Sequence, residues 1–471
     1  MKAYIGQLIL IILLASTGTI NICMAQTGSS TPSGQGLNFQ VKFSEPLAVY
    51  VFVQNISSKN RFAPNYPFKK LFTDSKFNQE KYKALIAEFD TLTLDYTYEY
   101  GPEKLGGSTW LLLKRNLINS RTIDDFKHSS LGIIPNPSLF KLCSILTEFE
   151  PVYQELVYEP NKEVFERQVG ELRNLIASTD MNSFFNVGIK FYNSSWDNSI
   201  PFNFVFYPLP NSRGWTATVF YDNAESAIPT SLTDYNGLLS VVFHEIFHTL
   251  YDETTPAFKN DIVQWFISNP SRNSRYALTL LNESLATALG NGYVSARLSG
   301  KENAGNWYHN KHINLMAKKI YPMVKEYIES QRSIDKSFVD NYVRIYDDNL
   351  AVFSELNHIM AGRYVLSDNP QDFNVIDRKF PYRSMTQYES ISVSSIERMS
   401  KTSITKVILI SKDNKRKLQL IKEGFAELDS WKPDAKTDFT YALLLKDKTY
   451  LIVINSVRKT TEEQIETLQL K

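Results

Sequence analysis

Leu239-Ser240-Val241-Val242-Phe243-His244-Glu245-Ile246-Phe247-His248-Thr249-Leu250 joins an apolar stripe to the pattern His-Glu-x-x-His. At about 100° per residue, Leu239, Val242, Phe243, Ile246 and Leu250 fall on one side of a helix. His244 and His248 then fall on roughly the opposite side, one turn apart. Two imidazoles so spaced can share one metal ion, and Glu245 between them can accept a proton from water activated there. The chain has only six histidines in 471 residues, so a chance match is expected at about one per cent or less. Upstream, Pro229 and Ser231-Leu232-Thr233-Asp234 resemble a capping box with Asp in place of Glu, which predicts the helix start there.

A catalytic zinc site usually has three protein ligands. The continuation that supplies a third His six residues after the second is absent, because that position is Thr254. Asp252 lies on the same helix one turn beyond His248 and would leave the other wall of a cleft without a ligand. Glu283, in Asn282-Glu283-Ser284-Leu285-Ala286-Thr287-Ala288, is better placed. There Leu278, Leu281, Leu285 and Leu289 form an apolar stripe and Glu283 falls on the far side, with Thr287 one turn below. Gly290-Asn291-Gly292 reads as the stop of that helix.

HExxH followed by Asn-Glu on a downstream helix resembles the gluzincin metallopeptidases, matching at His244, Glu245, His248, Asn282 and Glu283. The resemblance spans about Trp215 to Gly290. It implies a zincin-like fold, Zn²⁺ held by His244, His248 and Glu283, Glu245 as general base, and hydrolysis of a peptide or protein substrate. Thermolysin-like members carry Asp one turn after the Glu ligand, where it orients a ligand imidazole; Thr287 stands there in this chain. The whole chain is also similar to secreted zincin-like proteins of unknown function. The alternative is a non-catalytic secreted binding protein on the same scaffold, against which the intact Glu245 argues.

Two further roles stay open at this level. Trp215–Tyr221 reads as a strand that is either a core strand or an edge strand able to pair with extended substrate. The donor that would steady a developing oxyanion is sought among Tyr308, His309 and His312, then His358, Arg363 and Tyr364.

The remainder of the chain sets the frame. Lys and Arg number 51 against 50 Asp and Glu, so charge points to neither nucleic acid nor an anionic membrane. Met1-Lys2, the apolar run Leu8–Ala15 and Cys23-Met24-Ala25 predict a secretory signal over residues 1–25. Its core is shorter than the roughly 20 residues a span needs. The mature chain is therefore expected to be secreted or periplasmic after cleavage near Ala25. Ile22 fits poorly before a lipidated Cys23, so a lipoprotein anchor is disfavoured. Cys143 then remains as a single thiol without a disulfide framework.

The fold class expected is α+β: a mostly helical zincin-like catalytic region with a small sheet, plus a small C-terminal α+β module. Residues 26–36 read as a flexible lead-in and 37–375 as the catalytic region, with a helical part 37–180 and a metal-binding core 181–375. Residues 376–400 read as a linker and 401–471 as a separate module containing a hairpin over Lys446-Asp447-Lys448. Phe39–Val53 is expected as one or two strands or an arm, and Gln79–Phe89, Leu139–Phe149 and Asn161–Ala177 as helices. Ile189–Tyr192 and Phe202–Tyr207 are expected as strands, and no later stretch as a membrane span.

Overall fold

The computed structural model describes residues 36–58, 67–98, 107–212, 214–215, 217–350, 356–382, 385–466 and 468. The expected signal segment and nearly all of the lead-in lie outside these residues. Eleven strands occur among them: β1 (Phe39–Lys42), β2 (Thr97–Tyr98), β3 (Gly107–Ser108), β4 (Phe202–Leu209), β5 (Ala217–Phe220), β6 (Asn223–Pro229), β7 (Gly362–Ser367), β8 (Met385–Glu389), β9 (Thr405–Ile410), β10 (Phe439–Leu444) and β11 (Tyr450–Asn455). Helices make up most of the rest, giving an α+β fold with two small mixed sheets. No helix among the described residues is long and apolar enough to cross a membrane.

The first mixed sheet has the order β1-β4-β6-β5, parallel except for the antiparallel edge pair β5–β6. Its alternation sorts residues between two cores. Phe202, Phe204 and Phe206 of β4 face the core around the histidine-bearing helix. Val205, Tyr207 and Leu209 face the core built by the N-terminal helices Glu45–Ile56, Thr109–Asn119 and Asn136–Tyr153. Cys143 is buried in that second core, and burial pushes its thiol up to about 11, which suits a small hydrophobe rather than a nucleophile.

The apolar run Leu47–Val53, expected as strand, is instead helix Glu45–Ile56. Ser44 caps it, accepting from Leu47 N–H at 3.3 Å, and Pro46 sits in its first turn. Every residue from Pro46 to Val53 is buried, so the helix has no polar face and shows no helical period. Ile189–Tyr192 likewise closes helix Met181–Phe191, whose start Asp180 caps at Ser183 N–H. The Gln79–Phe89, Leu139–Phe149 and Asn161–Ala177 patterns correspond to helices Glu80–Thr91, Asn136–Tyr153 and Glu159–Ser178.

The second mixed sheet has the order β10-β11-β9-β7-β8. The hairpin over Lys446-Asp447-Lys448 forms as expected, with Leu444 opposite Tyr450. Residues 376–400 are not a structureless linker: they hold the end of helix Pro370–Lys379, β8 and helix Val393–Ser400. β7 and β8 join the sheet from before residue 401, so no boundary falls there. Val407, Leu409, Ile452 and Ile454 pack into the core that holds the histidine-bearing helix, while Ile408, Ile410, Leu451 and Val453 face a small core of their own. Leu37–Lys471 accordingly forms one compact unit.

Candidate metal centre

The histidine-bearing helix runs over Tyr235–Asp252. Asp234, not Ser231, is its cap and accepts from Gly237 N–H at 2.8 Å. Leu239, Val242, Phe243, Ile246 and Leu250 are fully buried, as the helical phase requires. The imidazoles of His244 and His248 consequently project together, with ring centroids 4.7 Å apart. Across from them lies helix Ser274–Ala286, which carries Glu283.

His244, His248 and Glu283 form a group that could hold a metal ion, with ligand atoms all within 4.8 Å of one another. His244 Nε2 and His248 Nε2 are 3.1 Å apart, and each lies 3.6 Å from Glu283 Oε2. Donors around one tetrahedral Zn²⁺ stand about 3.3–3.4 Å apart, by simple geometry from the usual bond lengths. The three observed separations bracket that value. The donor set fits an ion in a second way too: Glu283 Oε2 is buried and makes no hydrogen bond among the described residues. Asp252 does not join the group and pairs with Lys259 at 3.4 Å.

Electrostatics follow from this crowding. Burial opposes a charge on His248, but its contact with Glu283 outweighs burial and pushes the imidazole up to about 9. Burial draws His244 the other way, down, although its Nε2 faces that of His248 at 3.1 Å. Glu283 is buried as well, yet its two imidazole partners keep its carboxyl well below the usual range. For Glu245, its carboxylate 3.9 Å from His244 Nε2, burial outweighs the pull of the His248 charge and pushes it up to about 7.

Two supports went unrecognised in the sequence, at Asn282 and at Gly290. Asn282 Oδ1 lies 2.9 Å from His248 Nδ1, so the residue before Glu283 orients the ligand imidazole. Thr287, at the place where thermolysin-like members orient it with Asp, is buried and leaves its hydroxyl without a hydrogen bond among the described residues. Gly290 does not stop the helix. The chain continues as a π-helix, Thr287–Val294, then Ser295–Ser299, and ends at Gly300 in the left-handed region (φ 72°). At Gly290 this π-helix meets the histidine-bearing helix so closely that a Cβ would lie 2.6 Å from His244 Cα and N. A glycine is needed there because only bare backbone fits against His244.

Of the six oxyanion-donor candidates, Tyr308 is at the centre. Its ring stacks on His244 with centroids 5.7 Å apart, and burial together with the Glu283 charge raises its phenol far above the ordinary range. His309 stacks on Tyr308. The others serve elsewhere: His312 packs on His358, which bonds Tyr346 OH at 2.8 Å. Arg363 is buried against Asp377, and Tyr364 OH donates to Glu389. β5 proves to be an edge strand, paired only with β6 among the described residues, and it packs beside the histidine-bearing helix.

No protein-family model, curated protein or solved structure matches the chain. The chemistry of the site rests on its own geometry.

Proposed function

We propose that this chain is a zincin-like, gluzincin-type zinc peptidase, secreted or periplasmic if the leader expected at residues 1–25 is used. Two imidazoles and one carboxylate also suit other divalent metals, Fe(II) among them. The observation that favours hydrolysis is Glu245: a second carboxyl, outside the ligand set, held beside the same point and near neutrality. A divalent ion held by His244, His248 and Glu283 supplies a Lewis acid that polarises a carbonyl and acidifies water.

The chain's own residues do the rest. Asn282 holds the His248 ring so that Nε2 faces the ligand point. Glu245 accepts the proton of the attacking water and passes it to the leaving amine. β5, which pairs with no strand but β6 among the described residues, offers its outer edge beside the histidine-bearing helix, on which an extended peptide can add as a further strand. Tyr308 OH donates to the developing oxyanion; its high phenol pKa keeps that proton in place across the working range.

The test is digestion of a diverse peptide library by the purified chain, before and after chelation, and again after Zn²⁺ is restored. Cleavage that stops with chelation and returns with Zn²⁺ supports the peptidase. Bound zinc without cleavage of any peptide would contradict it and favour a binding role. Tyr308→Phe is expected to lower kcat by about 10²-fold, in the range typical of a lost oxyanion donor, with metal content unchanged. Steady-state kinetics beside metal analysis checks both.

A further inference from the structure

We propose that Lys448 and Tyr276 are positioning residues for the metal centre, through which the β10–β11 hairpin sets the placement of Glu283. This rests on the reading of His244, His248 and Glu283 as ligands, and it gives the C-terminal sheet a role in the site.

Helix Ser274–Ala286 lacks a cap of its own. Asn273, at its N-cap position, makes no side-chain cap bond and donates instead to Asp347 at 2.7 Å. Partners outside the helix hold such a start: Asp347 through Asn273, and the hairpin. Lys448 Nζ donates to Ser274 Oγ at 3.2 Å, to Ile267 O at 3.2 Å and to Asn269 O. One ammonium thereby ties the first residue of this helix to the C-terminal carbonyls of helix Pro256–Ser268.

Two residues on, the Tyr450 N–H donates to Tyr276 OH at 2.9 Å. Thr405 Oγ1 gives its single proton to Ile359 O at 2.6 Å. The 3.1 Å contact between Tyr276 OH and Thr405 Oγ1 must therefore use the phenol proton. Tyr276 thus accepts from β11 and donates to β9, and both bonds are buried.

Tyr276 precedes Glu283 by seven residues, or two helical turns, roughly 10 Å along the axis. The α-helix is unbroken between them, so a shift or tilt at Tyr276 is carried to Asn282 and Glu283. Asn282 contacts His248, so the same movement disturbs two of the three ligands.

The test compares Lys448→Met and Tyr276→Phe with the wild-type chain, each with Glu283 intact and with Glu283→Ala. Zn²⁺ affinity is read by chelator competition and thermal stability by Tm. With Glu283 present, each variant is expected to bind Zn²⁺ about 10-fold or more weakly, as when outer supports of a ligand are removed. With Glu283→Ala, only the part of the loss carried through Asn282 to His248 should remain, so the variants should add clearly less than with Glu283 present, although their Tm deficit persists. Lys448→Arg, which keeps the donor, should restore most of the affinity. Unchanged Zn²⁺ affinity in a folded Tyr276→Phe chain would overturn the proposal and leave the hairpin a brace for stability alone. Equal losses with and without Glu283 would overturn it as well. A wild-type chain that binds no Zn²⁺ would instead sink the metal-centre reading beneath it.

Discussion

Glu245→Gln is expected to leave the metal in place and to lower kcat/KM for peptide hydrolysis by about 10²–10⁴-fold, the range for loss of a positioned general base. The amide matches the carboxylate in shape, and Glu245 lies outside the ligand group, so neither fold nor ligand set is disturbed. What disappears is the proton acceptor. The same carboxylate sets the acid limb of the pH profile. Glu245 must be ionised to act; in the metal-free protein burial holds its carboxyl up at about 7. A bound cation favours the ionised form and lowers that value. Activity should therefore rise with pH through a limb at or below about 7, and the limb should vanish in the residual activity of Glu245→Gln. Steady-state rates from pH 4 to 9, with metal content measured on the same samples, check both statements. A variant that retains full activity would remove Glu245 from the mechanism.

Glu283→Ala is expected to weaken Zn²⁺ binding by more than the roughly 10–100-fold that removal of an outer partner such as Asn282 costs. The two imidazoles alone cannot close the site, and the oxygen 3.6 Å from both is gone. The change also alters the protons. With Glu283 present, His248 holds its proton up to about 9, so an ion arriving at pH 7 must displace it. Affinity should then climb with pH toward 9 in the wild-type chain. Without Glu283 its two raising contributions are lost while burial still opposes the charge, so His248 should give up its proton at lower pH and the climb should level off sooner. Calorimetry in two buffers of different ionisation enthalpy reads the released proton directly. A Glu283→Ala chain with wild-type zinc affinity would remove Glu283 from the ligand set.

The candidate centre was legible because its chemistry is local. The phase of Leu239, Val242, Phe243, Ile246 and Leu250 was enough to aim His244 and His248, and the same argument placed Glu283 on a second helix. What surrounds these ligands was less visible, for identifiable reasons. The need for glycine at Gly290 comes from a backbone some forty-six positions earlier in the chain, at His244, and no local pattern records that approach. Only packing separates Tyr308 from the other candidate donors His312, His358, Arg363 and Tyr364. Helix Glu45–Ile56 was obscured by complete burial, which erases the polar face that reveals a helix. The stretch 376–400 looked like a linker because its strand, β8, is a short edge strand with an exposed, mostly polar sequence. A sheet edge of that kind is recruited by its neighbour, β7, rather than by its own hydrophobicity.

The central claim is that His244, His248 and Glu283 hold one metal ion. It is tested most directly by X-ray absorption at the metal edge of the purified, Zn²⁺-loaded chain, with stoichiometry measured on the same sample. The account predicts one ion per chain with a coordination shell of two imidazoles and light oxygen donors. One imidazole contribution should be lost in His248→Ala, and an oxygen donor should be lost or replaced in Glu283→Ala. A chain that binds no zinc, or one whose zinc shell is unchanged by both substitutions, would contradict it.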